Sequence, residues 1–254
     1  MQQKIEKLIT DYVDGYSRRE SIETEWREPV VEFASADDEL FARLSEAVSP
    51  SHARPEDFLE EAGTVIAYFL PFADWVMESN IDDRECSREW AAAYLETNQL
   101  IADLNEHLKK ELEKRGQRVA AVPATHNFDK KKLISDWSHR HVAYIAGLGT
   151  FGLNNMLITE QGCGGRVGTL VIDLEMPPSP RPEVEYCLHK ERGACQRCID
   201  RCVKDALKLD SFDRSSCYDM LQENDRLHEE FDQLTDACGK CCVDLPCSRV
   251  NPVG

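Results

Sequence analysis

The sequence predicts an α+β domain followed by a cysteine-rich module, on three observations. Strand-like and helix-like stretches are mixed through residues 1–173, the pattern of an α+β domain. Of the eleven cysteines, all except Cys86 and Cys163 lie between Cys187 and Cys247. Between these regions stands "EMPPSPRPEVEY", with four prolines and almost no apolar content, which reads as a stiff linker. The domain limits are accordingly 1–176 and 183–254.

Residues 2–18 read as an amphipathic helix, with Ile5, Leu8, Ile9, Tyr12 and Val13 at helical spacing. "RPEDFLEEAG" reads as a helix opened by Pro55 and closed at Gly63. "TVIAYFLPF" follows as a buried strand, rich in β-branched and aromatic residues. The clearest helix covers 87–115: Ser87 caps it, Leu100, Leu104, Leu108 and Leu112 stripe one face, and Gly116 ends it. "QRVAAV" is a second strand. "WSHRHVAYIAG" is a helix with Trp137, His141, Tyr144 and Ile145 on one side. "MLIT" and "RVGTLVIDL" are strands joined by the glycine-rich turn "EQGCGG". There is no internal repeat, and the acidic run from Asp225 to Asp236 reads as a solvated helix face.

Acidic residues number 47 against 30 basic ones, for a net charge of -17. Such a field repels phosphate backbones and weighs against nucleic acid as the default partner. The opening "MQQKIEKLIT" has no apolar secretory core. The longest apolar stretch is interrupted by Pro71 and Asp74 and is too short to span a bilayer. The expectation is a cytosolic protein with no membrane partner.

A cytosolic chain keeps its thiols reduced, so eleven cysteines need a role other than disulfides. Cys195-x2-Cys198 and Cys238-x2-Cys241 each point two thiolates at one metal centre, and thiolates select zinc or iron–sulfur clusters. A zinc ribbon built on those two pairs would have a gap far beyond the usual ~15–20 residues, and it would leave seven cysteines without a role. Two [4Fe–4S] clusters use eight cysteines. In two-cluster ferredoxins the last cysteine of a C-x2-C-x2-C-x3-C-P run serves the other cluster. By that rule Cys187, Cys195, Cys198 and Cys247 hold one cluster, and Cys202, Cys217, Cys238 and Cys241 hold the other. Cys187 stands upstream of the compact run, and Val203 replaces the proline. Cys242, Cys86 and Cys163 read as packing residues, although a functional thiol at Cys163 stays open.

"AGLGTFGLNN" contains Gly147-x-Gly149-x-x-Gly152, the spacing of a dinucleotide fingerprint. That motif needs a strand before the glycines and a helix after them. Here a helix leads in and a strand follows, so the dinucleotide reading fails.

The stretch "AGLGTFGLNNMLIT", the second turn "GCGGRVGTLVIDL" and the cysteine module after them resemble epoxyqueuosine reductases and reductive dehalogenases. "RPEDFLEEAGTVIAYFLPF" is similar to the family's early helix and strand. The resemblance covers most of the chain from about residue 55. It implies a nitroreductase-like, corrinoid-binding α+β domain followed by a ferredoxin-like module with two [4Fe–4S] clusters. Glycine alone lets a flat macrocycle approach a backbone closely. Gly147, Gly149, Gly152, Gly164, Gly165 and Gly168 are the candidates for that wall, beside Phe151. Asn154, Asn155 and Arg166 would bond the peripheral amides of a base-off cobalamin. The other reading is that these glycines only make tight turns between packed elements.

The resemblance also implies a proton donor beside the cobalt. Asp136, His139 and His141 lie in the matching region, with His126 ranked lower. On a helix His139 and His141 point to different faces, so at most one faces the pocket. Leu153 stands where epoxyqueuosine reductases commonly have a lysine, and their helical C-terminal extension is missing; with the charge, both weigh against a tRNA substrate. The function implied is a cobalamin-dependent reductase that removes oxygen or another leaving group from a small or nucleoside-like substrate. Its electrons would come from a low-potential donor such as ferredoxin or flavodoxin. A non-catalytic electron carrier or corrinoid-handling protein is the alternative.

Overall fold

Every residue of the strand Thr64–Pro71 is buried, and that strand explains the architecture. Side chains alternate between the two faces of a strand, so burying all of them requires cover on both sides of the sheet. The computed structural model, which describes residues 1–124 and 126–254, has that cover. In chain order the elements are α1 (Gln2–Ser17), β1 (Val30–Ser35), α2 (Glu39–Ala47), α3 (Pro55–Phe58), β2 (Thr64–Pro71), α4 (Asp74–Ser79) and α5 (Arg88–Glu113). There follow β3 (Val119–Ala121), α6 (His139–Ile145), β4 (Thr150–Phe151), β5 (Leu157–Ile158), β6 (Gly165–Ile172), α7 (Leu188–Arg192), α8 (Arg197–Asp200) and α9 (Arg214–Leu227). The main sheet has the order β1-β2-β6-β3 and is antiparallel throughout, while β4 and β5 pair in a separate ribbon.

Ile66, Tyr68 and Leu70 of β2 turn toward α1 and α5, where they join Ile5, Ile9, Leu104 and Leu108. Val65, Ala67 and Phe69 turn the other way, toward α2 and α6, and join Phe41, Leu44, Trp137 and Val142. Each such side chain contributes about 1.5–3 kcal/mol by leaving water. Helix α5 begins as the sequence predicts, with the Ser87 hydroxyl accepting from the Trp90 amide at 3.0 Å. Gly116 follows it in the left-handed region at φ +83°.

Three readings need correction. The helix at Pro55 stops after Phe58, and Leu59 is already extended. Gly63 is not a helix end: it passes over the end of β6, where a Cβ would stand 2.7 Å from the Asp173 carbonyl oxygen. The strands "MLIT" and "RVGTLVIDL" are consecutive but unpaired with each other, because β5 pairs with β4 and β6 with β2 and β3.

The proline-rich segment has no helix or strand, as a linker should, yet it is fastened to the sheet. The Ser179 amide donates to the Phe33 carbonyl at 2.8 Å, and the Phe33 amide donates to the Ser179 hydroxyl at 3.1 Å. The cysteine-rich region shares a core with the rest: Phe72, Val76 and Trp90 pack with Cys187, Ala237, Cys242 and Val243. Buried polar contacts join the same parts, among them Asn80 Nδ2 to the Cys238 carbonyl at 2.9 Å and the Cys163 amide to the Cys247 carbonyl at 2.9 Å. Among the described residues no helix is long and apolar enough to cross a membrane.

Candidate active site

The eight cysteines singled out by spacing separate into two sets of four. Cys187, Cys195, Cys198 and Cys247 line one small cavity. Cys202, Cys217, Cys238 and Cys241 line a second, of 420 Å³, which Cys163 and Cys242 also border. Local structure sets each position. Cys187 stands at the N-terminus of α7, and Cys198 lies within α8. Cys217 sits in the first turn of α9, which Asp213 caps by accepting from the Ser216 amide at 3.0 Å. Cys238 and Cys241 flank Gly239, whose φ of +71° lays the backbone flat on the Trp90 ring, where a Cβ would come within 2.1 Å.

One thiol in each set is costly to ionise where it stands. Burial pushes Cys198 up to about 12, and the neighbouring Cys241, Cys187 and Cys195 add to it. Burial does the same to Cys217, also to about 12, helped by Cys241, Cys238 and Cys202. Several thiolates crowded together need positive charge among them, which a bound metal centre supplies while deprotonating its thiol ligands. Among the described residues no group of three or more His, Cys, Asp or Glu side chains is arranged to hold a single metal ion.

The second cysteine cavity adjoins a larger one of 480 Å³, beneath α6 and the start of β6. Arg140, Met156, Cys163, Gly165, Arg166 and Arg214 line both. Each volume is within the ~300–1,000 Å³ of small-molecule and cofactor sites.

The glycines do not form the wall predicted for them. A Cβ on Gly147 would lie 2.6 Å from the Pro180 carbonyl oxygen, and one on Gly149 1.9 Å from that of Ile158. At Gly164 it would meet the Met77 sulfur at 2.3 Å, and at Gly168 the Tyr68 ring at 2.3 Å. The space left by each missing Cβ is filled by the protein itself, so close internal packing explains these glycines. Gly152 lines only the small cavity of the first cysteine set, and its Cβ would meet Asn154 Oδ1 at 2.6 Å. Gly165 alone of the six borders the two large cavities. Asn154 borders the 420 Å³ cavity but spends its amide on the Cys241 carbonyl at 2.7 Å, and its oxygen accepts from the Met156 amide at 3.2 Å. Phe151 packs against the His141 and Tyr144 rings instead of a cavity. The Gly165 Cβ would itself meet the Leu70 carbonyl oxygen at 2.3 Å, and of the expected wall only Gly165 and Arg166 border the two large cavities.

The proton-donor candidates also part company. Asp136 borders none of these cavities; its Oδ1 accepts from Ser49 Oγ at 3.0 Å and Ser51 Oγ at 2.7 Å, tying two loops together. His139 lines the larger cavity, yet both ring nitrogens are committed. Trp137 Nε1 donates to Thr169 Oγ1 at 3.0 Å, leaving that hydroxyl to donate to His139 Nδ1 at 2.8 Å. His139 Nε2 then donates to the Pro123 carbonyl at 3.0 Å. The ring is thus neutral, and burial pushes it down to about 4, which removes it as an acid at neutral pH. His141 also lines the larger cavity; its Nδ1 meets Ser138 Oγ at 2.7 Å, and its Nε2 has no partner among the described residues. Burial, then Arg140 and His52, push it to about 4. His126 stacks edge-on with Phe58 and borders none of these cavities.

These histidines make a pH prediction. In an unfolded chain each would titrate near about 6.5, whereas His139 and His141 titrate near about 4 when folded. The unfolded state then binds more protons across that window, so stability is full above it and is lost as the pH falls from about 6.5 toward about 4. Urea midpoints should drop between pH 7 and pH 5, with His139→Gln showing a flatter dependence. Equal slopes for the variant and the parent would show that His139 titrates normally.

Arg140 and Arg214 were not singled out by the sequence reading. Arg140 sits between two considered histidines, and nothing in a helical pattern reveals that it reaches a cavity wall shared with Arg166.

Together the two-faced antiparallel sheet, the short glycine ribbon and the cysteine-rich extension define one fold, shared with solved epoxyqueuosine reductases and a reductive dehalogenase. The solved structures that share it include epoxyqueuosine reductase from Streptococcus thermophilus, 18% identical, with a TM-score of 0.61 over 100% of this chain and 68% of that one. An epoxyqueuosine reductase solved with an epoxyqueuosine-modified tRNA stem loop matches at 20% identity and TM-score 0.57, over 88% of this chain and 58% of that one. A catabolic reductive dehalogenase matches at 17% identity and TM-score 0.56, over 88% of this chain and 30% of that one. No protein-family model and no curated protein matches the sequence. The family whose loop residues this sequence resembles is thus also the one whose solved structures share its fold.

Proposed function

We propose that this chain is an iron–sulfur reductase of the epoxyqueuosine reductase type. Its eight cysteines hold two [4Fe–4S] clusters, and the joined cavities take a base-off corrinoid. The observation that carries the reading is the division of the thiols into two sets of four, one of them lining a cavity continuous with the 480 Å³ space. A cluster spreads four thiolates over separate irons, so it needs no three donors converging on one ion. Domains of 1–176 and 183–254 correspond to the corrinoid-binding and cluster-binding parts.

When bound, the clusters and corrinoid supply single-electron relay and the reductive cleavage of a carbon–oxygen or similar bond. The protein's own part is positioning and charge. Gly165, Met156 and Arg166 border the space that a flat group would take. His139 locks α6 to β6 through Thr169. His141 is the histidine on the larger cavity wall with an unpartnered nitrogen, and as a neutral ring it orients water or substrate there through that nitrogen. No Asp or Glu lines that cavity among the described residues, so no carboxylic acid donates there. One solved neighbour carries a tRNA stem loop, but a net charge of -17 opposes bulk tRNA binding. A small or nucleoside-like substrate is the better match, with a ferredoxin or flavodoxin as electron donor in a reducing cytosol.

Anaerobic protein with its clusters in place should retain added cobalamin through gel filtration, with the visible spectrum of the base-off form. Cluster-loaded protein that passes cobalamin through unbound would end the corrinoid part of this reading.

A further inference from the structure

We propose that the larger cavity recognises an anionic substrate, a small flat acid whose charged head is clamped by Arg140, Arg166 and Arg214. This names the substrate class of the reductase above and rests on that reading. The three arginines come from α6, β6 and α9 and border the wall common to both large cavities. None of them makes an ion pair among the described residues, in a chain where acidic residues outnumber basic ones 47 to 30.

Nearby cations behave differently. Lys204 pairs with Glu223, and Lys240 Nζ donates to the carbonyls of Asn80 at 3.0 Å and Asp82 at 2.6 Å. The Arg166 side chain makes no hydrogen bond among the described residues, and its buried Nε is without a partner. Its guanidinium lies over the Tyr94 ring, 4.4 Å from the centroid, which fixes its plane but satisfies no N–H. Arg140 uses one nitrogen, donating to the Asn155 carbonyl at 2.7 Å, and Arg214 uses one on the Lys132 carbonyl at 3.1 Å. The buried Nε of Arg166 is costly to leave idle unless an anion completes it, whereas Arg140 and Arg214 are exposed and free to turn toward a ligand; the planar fork of a guanidinium matches carboxylate and phosphate. The same cavity is also lined by the apolar and aromatic Phe69, Phe128, Leu133 and Trp137, which suits a flat body behind the charged head.

The test is calorimetric titration of anaerobic full-length protein, clusters in place, with benzoate, phenyl phosphate and the neutral benzamide. Benzoate or phenyl phosphate should bind while benzamide does not, and the tighter of the two assigns carboxylate or phosphate as the head. Arg166→Gln and Arg140→Gln should each weaken that binding about tenfold or more, the effect of losing a charge-assisted hydrogen bond. Arg166→Lys should recover part of it, and iron content should stay at the parental level. Protein with full clusters and cobalamin that binds neither anion overturns the anion proposal and leaves the reductase reading standing. Variants that lose cobalamin or iron while anion binding persists assign the arginines to the cofactors and overturn it too. Anion binding in protein that never holds clusters supports the clamp and removes the reductase reading.

Discussion

Cys198→Ser and Cys238→Ser should each remove about half of the iron and sulfide, from about eight of each per chain in the parent. The two positions belong to different sets, since Cys198 shares a cavity with Cys187, Cys195 and Cys247 and Cys238 with Cys202, Cys217 and Cys241. Losing one ligand from either should therefore empty one cluster and spare the other. The double variant should lose nearly all of the iron. Cys242→Ala is the control: this thiol is buried in the shared core and borders the second cavity, but it is not one of the eight proposed ligands. Anaerobic iron and sulfide analysis reads the outcome directly. Stoichiometric zinc with negligible sulfide in the parent would sink the cluster assignment, and equal losses from Cys242→Ala would sink the division into sets.

The second large effect belongs to Gly149. An added Cβ would stand 1.9 Å from the Ile158 carbonyl oxygen and 3.0 Å from the Thr159 Cα. Both are backbone atoms of the strand that pairs with β4, with Thr150 opposite Ile158, so no rotamer change relieves the clash. Overpacking commonly costs about 1–3 kcal/mol, and displacing a paired backbone belongs at or above the upper end. Gly149→Ala should lower the urea midpoint accordingly. Gly15 in α1 makes the contrast, because a Cβ there meets nothing within 4 Å; Gly15→Ala should stabilise by about 0.5–1 kcal/mol. If Gly149→Ala folds with parental stability and only cobalamin binding suffers, the glycine faces a ligand after all.

These two cases mark what the sequence could carry. Cysteine spacing is a local signal, and Cys202, which the pairing rule assigns to the far set, borders the same cavity as Cys217, Cys238 and Cys241. Long periodic elements were legible for the same reason, and α5 runs from its Ser87 cap to the turn before Gly116 as its pattern implies. The glycine loop was legible as a close approach, but a glycine records only that something is near. Whether that neighbour is a cofactor or the Ile158 carbonyl is decided by the chain far away. The same limit hid the fate of His139: Thr169, thirty residues on, takes one nitrogen and Pro123 the other. β1 was missed because "VVEFAS" carries a charge and is only half buried, which weakens the alternation that marks a strand.

The fastening of Ser179 to Phe33 has a consequence for solubility. β1 is an outermost strand of the main sheet, and an open strand edge is a template on which another chain can add itself. The segment across it carries Pro177, Pro178, Pro180 and Pro182, none of which has an N–H to offer a further strand. It occupies the Phe33 amide and carbonyl while presenting a poor surface for continued pairing on its outer side. What spacing alone reads as a spacer between two domains thus also works as a seal against self-association, and loosening it would threaten aggregation before it altered chemistry.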